Sequence, residues 1–377
     1  MTTRVLRALV RKEGIEILRD PITLAVAIVL PLLMLFIFGY GISMDVEDVP
    51  LAVRDRDGTQ ESGRLTEAFV RSGYFHLQSL VRSDAQARAV LDTGKATVVL
   101  DIPPEFTHEL RAGREASVQL LLDGSFSATA LIVSNYAAAV VNRFSEQAAQ
   151  RRLAELGLSL PPPVQLETRV WFNPSMRTVN YIVPGLFAVL LMAFPPMLTA
   201  LAIVRERERG TIEQIYVSPV TPALFVLGKV LPYALIAFGQ MLLVLGAGTA
   251  WFGIPLRGSL TLLLGASLLY VFVTVALGVA VSAVVRTQVA AVFLSLVGTL
   301  MPSFLFSGFL FPIGTMPYVL QLYTYAFPTR YFNDISRDLF LKGVGLEYLW
   351  GNLALLAGYA VVLLVAASLS LRKKVAR

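Results

Sequence analysis

Residues 178–204 read TVNYIVPGLFAVLLMAFPPMLTALAIV and contain no Lys, Arg, Asp, Glu or His. A helix that crosses the hydrocarbon layer of a bilayer needs about 20 mostly apolar residues, so this stretch is long enough to span a membrane. Five other stretches are equally free of charge: 21–44, 230–256, 258–285, 287–329 and 348–371. The sequence therefore predicts an α-helical polytopic membrane protein with six transmembrane helices.

A polar block at 45–177 separates the first charge-free stretch from the second. Strand-like segments alternate in it with helical ones, and the strand-like segments are 49–53, 75–80, 96–100 and 118–122. Such alternation is typical of α/β layers, and roughly 130 residues are enough for a separate core. We predict an inserted α/β extracytoplasmic domain. Its two histidines, His76 and His108, are far apart in sequence and indicate no metal or catalytic site.

The distribution of charge predicts how the chain is oriented. With a cytoplasmic N-terminus, the cytoplasmic segments carry fourteen Lys and Arg residues and the short external loops carry four. This bias obeys the positive-inside rule, so both termini are predicted to be cytoplasmic. The net charge of +6 reflects that orientation, and we expect no nucleic-acid partner. The chain has no cysteine, which excludes disulfides and Cys-ligated metal sites.

The N-terminal residues predict two helices in succession. Residues 1–20 place apolar side chains on one helical face with basic side chains around it, the pattern of a cytoplasmic amphipathic helix on the membrane surface. Asp20-Pro21 then supplies an N-cap followed by Pro at the first helical position, which starts the first transmembrane helix at 21–44.

Residues 178–377 are predicted to form the other five transmembrane helices. The stretch 287–329 is too long for one span and is interrupted by Pro302, Gly308, Pro312, Gly314, Pro317 and Pro328. We expect a span near 288–306, followed by a re-entrant region at 307–330 on the outer side. The second span contains Pro184 and Pro195-Pro196, and such breaks require surrounding protein to satisfy the freed backbone groups.

The loop 205–222 between the second and third spans is built as a short, stiff helix. Gly210 can end the incoming helix, and Thr211 with Gln214 forms a capping box that begins a new one. A simple hairpin between two spans would not need this construction, so we predict a docking element for a cytosolic partner. The residues expected to serve it are Glu206, Arg207, Glu208, Thr211, Ile212, Glu213, Ile215 and Tyr216.

The chain carries no recognisable source of energy for transport. Gly94-Lys95 and Gly228-Lys229 lack the remainder of a phosphate-binding loop. No ionisable residue lies at the middle of a span, where proton-coupled carriers commonly place one. These features favour a membrane permease that binds no cofactor and is driven by a separate ATPase. Two alternatives stay open: a membrane receptor or assembly scaffold with an external domain, and an ion-coupled secondary carrier.

Three motifs make the chain resemble the ABC-2 type permeases, the transmembrane subunits of bacterial ATP-binding cassette exporters. They are RERERGTIEQ at 205–214 with SPVTP at 218–222 and Gly228-Lys229, FPTRYF at 327–332 with Asp334 and Arg337, and Asn173-Pro174 ahead of NYIVPG at 180–185. The domain after the first span is similar to the layout of the multidrug-type subgroup.

The resemblance implies partners and a location. It implies a second permease, as a homodimer or a paralogous heterodimer, and cytosolic ABC ATPase subunits that use the ATP. The location would be the bacterial cytoplasmic (inner) membrane. The cargo would be a hydrophobic or amphiphilic compound, drug-like or lipid, with membrane lipid and a periplasmic adaptor as further candidate partners.

The proline-broken spans suggest where cargo could pass. They offer no fixed charge to hold a polar solute, which favours an apolar or amphiphilic substrate that enters from the bilayer. The aromatic residues expected to line this path are Phe187, Phe194, Phe304 and Phe306.

Overall fold

The computed structural model describes residues 2–42, 46, 48–155, 157, 169, 171–175, 177–210 and 221–375. These residues form two compact units: Met1–Ser43 with Arg169–Arg377, and Met44–Thr168. The elements follow one another as α1 (Thr2–Arg19), α2 (Pro21–Gly41), β1 (Val49–Asp55), α3 (Gln60–Arg71), β2 (Phe75–Leu80), α4 (Asp84–Asp92), β3 (Val98–Ile102), α5 (Phe106–Ala112), β4 (Gln119–Leu122), α6 (Ser127–Glu155), α7 (Thr178–Glu208), α8 (Pro222–Ala250), α9 (Leu260–Val284), α10 (Gln288–Phe306), α11 (Tyr318–Thr324), α12 (Pro328–Arg337) and α13 (Leu346–Val375).

Six of the described helices are long and apolar enough to cross a membrane, which confirms the predicted fold class. They are α2, α7, α8, α9, α10 and α13. Asp20 caps α2 by accepting hydrogen bonds from the backbone N–H groups of Ile22 and Thr23, both at 3.1 Å. Thr221 caps α8 in the same way through the N–H of Leu224. Gly210, at φ +73°, directly follows the end of α7.

Helix α7 is the central helix of the membrane unit. It packs against α2, α8, α9, α10 and α12, and nearly all of its apolar side chains are buried. Its three prolines therefore lie among protein neighbours, as bilayer physics requires of an interrupted span. Gly278 of α9 contributes to this packing, because a Cβ at that position would lie 2.5 Å from the Pro196 carbonyl oxygen. A residue without a side chain lets the two helices approach closely.

The segment after α10 changes direction repeatedly. A single 3₁₀ turn at Ile313–Thr315 and the short α11 follow Gly308, whose φ is +77°. Helix α12 then packs against α7, α9 and α13, and a π-helical turn at Asp338–Lys342 leads on towards α13. Helix α10 itself contains a π-helical turn at Leu296–Leu300. These short pieces occupy the region in which proline and glycine predicted a broken chain.

The inserted unit is an α/β layer structure, as predicted. Its sheet has the order β2-β1-β3-β4, with β1 parallel to β2 and β3, and with β4 antiparallel to β3. One apolar core includes Phe69, Phe106 and Phe144 from α3, α5 and α6, and a smaller one includes Ala87 of α4. Alternate side chains of β1 enter the two cores, because strand residues point to opposite faces of a sheet.

A buried carboxylate is paired with two arginines near the carboxyl ends of the two central strands, β1 and β3. Asp101 of β3 accepts hydrogen bonds from Arg54 Nε at 2.9 Å and from Arg56 Nη2 at 3.0 Å. Only 2% of the Asp101 side chain is exposed. The hydrogen bond from Arg54, aided by Arg56 and against the effect of burial, lowers the pKa of the Asp101 carboxyl from its ordinary value. The carboxylate is thus held charged between two guanidinium groups.

Candidate functional site

A cluster of buried charges joins three helices in the membrane unit, and we call it the ionic cluster: Lys12 and Glu13 of α1, Glu206 of α7 and Lys229 of α8. The Lys229 ammonium lies 2.8 Å from Glu206 Oε2 and also binds Glu13 Oε1. Lys12 Nζ lies 2.7 Å from Glu206 Oε1. The Lys229 and Glu13 side chains are only 3% and 4% exposed. Charges so well removed from water persist only when they are paired, so the cluster fixes α1 against α7 and α8.

Burial and ion pairing affect the two α1 residues of the cluster, Glu13 and Lys12, differently. Burial raises the pKa of the Glu13 carboxyl, while the Lys229 ammonium acts in the opposite direction. Lys12 is more exposed, and burial would lower its pKa, but the hydrogen bond and charge of Glu206 leave that pKa raised. Lys12 therefore stays protonated, whereas burial makes Glu13 easier to protonate than an ordinary glutamate.

A second ion pair lies about two helical turns from Glu13, at the junction of α1 and α2. Arg205 Nη1 of α7 donates to Asp20 Oδ2 at 2.5 Å. Because Asp20 also caps α2, a single carboxylate joins the start of α2 to the end of α7. The hydrogen bond from Arg205 is the main reason that the pKa of Asp20 falls to about 2. The pair stays intact throughout the physiological range.

The last turn of α7 binds two further helices. Arg207 Nη1 donates to the carbonyl oxygens of Ser282 and Val285 at the end of α9, at 2.9 and 2.8 Å. Glu208 accepts from the backbone N–H of Gln288 at 2.9 Å and from its side-chain amide. Three consecutive charged residues therefore contact different elements: α1 and α8 through Glu206, the end of α9 through Arg207, and the start of α10 through Glu208. Residues 211–220 therefore follow a helix end that is bound to α1, α8, α9 and α10.

The structure describes three of the eight residues predicted to dock a partner. Glu206, Arg207 and Glu208 all bind groups within this chain, and Glu206 is almost completely buried. Their contact with another protein stays a prediction. The other five, together with the predicted capping box, lie outside the described residues: Thr211, Ile212, Glu213, Ile215 and Tyr216.

The four aromatic residues predicted to line a substrate path all contact other side chains. Phe187 and Phe194 are buried in the apolar core, and Phe187 meets Phe340 edge to face at 5.3 Å. Phe304 is half-buried against aromatic neighbours, and Phe306 stacks on Phe327 at 5.8 Å. Contact of these rings with cargo stays a prediction.

A second polar centre lies where α12 meets α7 and the end of α10. The Arg337 guanidinium donates to the carbonyl oxygens of Gly308 and Phe309, at 2.7 and 2.8 Å, and more weakly to that of Tyr181. Its carbon lies 3.6 Å from the centre of the Tyr181 ring. Beside it, Asn333 Nδ2 donates to the Ser307 carbonyl at 2.9 Å. These donors satisfy backbone oxygens that the broken helices leave free.

The family is established by comparison with known proteins. The model of the family described as ABC-2 family transporter protein matches residues 21–369. The chain belongs to the ABC-2 transporter family. It is similar to the probable multidrug ABC transporter permease YbhR of Escherichia coli K12, with 33% identity over 92% of each chain. It is also similar to the probable multidrug ABC transporter permease YbhS of Escherichia coli K12, with 31% identity over 91% of this chain and 90% of YbhS.

A more distant similarity extends to larger proteins. ABC transporter G family member 20 of Dictyostelium discoideum is 22% identical over 97% of this chain and 50% of its own length. The ABC-2 match covers all six candidate spans and the inserted unit, so the resemblance seen in three sequence motifs is confirmed over the whole fold.

Sequence reasoning on this ABC-2 chain missed the pairing of the polar centres. Lys12 and Lys229 count among the positive charges that set the orientation, Lys229 also belongs to the first motif, and Arg337 belongs to an external loop and to the second motif. None of these observations predicts a partner within the chain. The clue for Lys229 was its position seven residues inside a helix that begins at Pro222, where a charge needs a partner. Nothing in the sequence named Glu13 as that partner.

Proposed function

We propose that this chain is the permease subunit of an ATP-binding cassette exporter that moves a hydrophobic or amphiphilic compound across the bacterial inner membrane. The observation that carries the proposal is the fixed end of α7, where Glu206, Arg207 and Glu208 bind four other helices immediately before 211–220. Such a junction is suited to pass movement from a cytosolic partner to the membrane helices. Membership of the ABC-2 family supports it.

Transport is driven by a separate cytosolic ATPase subunit. That ATPase assembles with two permease subunits, of which this chain is one. ATP is bound and hydrolysed by that partner, and this chain supplies no cofactor site of its own. In support, its two Gly-Lys pairs lack a phosphate-binding loop. A periplasmic adaptor that meets the inserted unit is a further candidate partner.

The coupling role is tested by a single charge placed in the docking helix. Ile215→Asp should uncouple transport and weaken copurification with the ATPase, because truncating or charging an interface anchor commonly costs about 1–3 kcal/mol or more. Leu80→Asp is the matched control, since it makes the same change at a side chain of β2 that is 69% exposed. The docking role is wrong if the Ile215→Asp protein binds the ATPase and transports normally.

The orientation has an independent test, because the chain has no cysteine. Single cysteines at Gln60, whose side chain is exposed, and at Ser218 and Ala376 should react with an impermeant reagent in intact cells only at position 60. Reaction at 218 from outside would contradict the proposed topology.

The cargo class follows from the charge-free spans. Lipophilic compounds should stimulate ATP hydrolysis by the reconstituted permease and ATPase, and small hydrophilic solutes should not. The same preparation separates this function from a receptor or an ion-coupled carrier, because neither of those copurifies with an ATPase. Stimulation by hydrophilic solutes alone would exclude the proposed cargo.

A further inference from the structure

A cavity of about 870 Å³ lies between α1, the end of α7 and the start of α8. The ionic cluster forms part of its wall, and Ile15, Ile22 and Ala202 add apolar surface. Arg19 of α1 and Arg209 at the end of α7 line it as well. Both polar and apolar groups are therefore available to one ligand.

The charges that line the cavity are not balanced. Three basic side chains, those of Lys12, Lys229 and Arg205, are used in ion pairs with the acidic residues of the wall. Arg19 and Arg209 are exposed, and neither forms an ion pair with any residue that the structure describes. Two arginines without a described ion pair thus line one cavity, and guanidinium binds phosphate oxygens with a planar pair of donors.

A metal ion is a poorer fit to the same wall. Carboxylate oxygens of Glu13, Glu16 and Glu206 do come within 4.8 Å of one another. However, the ammonium groups of Lys12 and Lys229 already bind these carboxylates. A cation would have to displace two lysines, whereas an anion at the two arginines displaces no ion pair among the residues that the structure describes.

The apolar part of the wall distinguishes a lipid from a soluble anion. Ile22 is 72% exposed and begins a span, and Leu18 beside it on α1 is 73% exposed. Both exposed apolar side chains lie within three residues of Arg19 in the sequence, and Ile22 lines the cavity. A ligand that matches both features has an anionic phosphate headgroup joined to an acyl chain.

We propose that this cavity binds the headgroup of an anionic phospholipid, with Arg19 and Arg209 holding the phosphate and Ile15 and Ile22 contacting the glycerol and upper acyl chain. The proposed orientation places the site in the inner leaflet, where basic pockets between transmembrane helices hold anionic lipids. A bound lipid would join α1 to α7 next to the ionic cluster. The assignment does not depend on transport, and its test needs neither ATPase nor cargo.

The test measures which lipid lies beside α1 in nanodiscs. A fluorophore on a cysteine at Leu18, which is outside the cavity wall, is quenched by phospholipid carrying a nitroxide near the headgroup end of an acyl chain. We expect phosphatidylglycerol to be enriched over phosphatidylcholine by about 25-fold, since each basic residue near a membrane surface contributes about a fivefold preference and the two preferences multiply. Arg19→Gln with Arg209→Gln should reduce the enrichment to about twofold or less.

The matched control removes the same number of positive charges, both from α1 and both outside the cavity. Arg4→Gln with Arg7→Gln should leave the enrichment in place, because neither residue lines the wall. An equal loss in both double variants would mean general attraction to a basic surface and would overturn the site. Absence of enrichment in the unaltered chain would overturn it as well. Full displacement by glycerol phosphate would identify a soluble anion as the ligand and would have the same consequence.

Discussion

Lys229 Nζ lies 2.8 Å from Glu206 Oε2, and the two side chains are 3% and 10% exposed. This pair joins α8 to α7 at the point where α7 leads into the proposed docking segment. Because the same ammonium also binds Glu13, removal of one lysine would leave two carboxylates in an environment that disfavours charge.

Lys229→Ala should therefore lower the free energy of unfolding by about 3–5 kcal/mol, the usual cost of leaving a buried charge without its partner. Lys342→Ala is the control, since Lys342 is 48% exposed and pairs with Asp338 at 2.6 Å. Its loss should cost less than about 1 kcal/mol. Unfolding in mixed detergent micelles measures both, and equal losses would show that the ionic cluster contributes no more than a surface pair.

Gly278→Ala should destabilise the close contact between α9 and α7. The new Cβ would meet backbone atoms of Pro196, which cannot rotate away as a flexible side chain could. We expect a loss of about 1–3 kcal/mol from overpacking. Gly265→Ala, on the same helix but with no atom within 4 Å of the new Cβ, should be neutral or should stabilise by up to about 1 kcal/mol. Thermal unfolding of the two proteins decides the matter, and similar melting temperatures would refute the close-contact argument.

Arg337→Lys should be nearly as damaging as Arg337→Ala. The guanidinium reaches the carbonyls of Gly308 and Phe309 together, and one ammonium cannot replace that geometry. Loss of two charge-assisted hydrogen bonds should cost about 3 kcal/mol or more. Arg257→Lys removes a comparable guanidinium that is exposed and makes a single 3.3 Å bond to Leu341, so it should have little effect. Full stability of the Arg337→Lys protein would show that only its charge matters.

The inserted unit should lose stability in acid because of Asp101. The folded pKa of this carboxyl is lower than its ordinary value of 3.8, so its contribution is complete above that value and is lost as the pH falls through the folded pKa. Hydrogen exchange of β3, corrected for the intrinsic rate, should show a large effect of Asp101→Asn at about pH 6 and a smaller one at about pH 3. Asp92→Asn, at an exposed position, should show no such dependence. A constant difference at both pH values would contradict the assignment.

The large-scale fold could be predicted because its signals are local. Charge-free stretches predict six spans, and Asp20-Pro21 predicts a helix start that the structure contains. The ionic cluster could not be predicted in this way, because Lys229 and Glu13 are 216 positions apart in the sequence. Pairing across that separation depends on how three helices pack, which no periodicity encodes.

The three charges at the end of α7 have a mechanical consequence. Successive residues of a helix point about 100° apart, so Glu206, Arg207 and Glu208 hold the helix from three sides. Twisting α7 about its own axis would break all of these bonds at once, whereas moving it together with α1, α8, α9 and α10 breaks none. If a partner pushes on the chain beyond Gly210, these bonds favour displacement of α7 together with the four helices over rotation of α7 about its own axis.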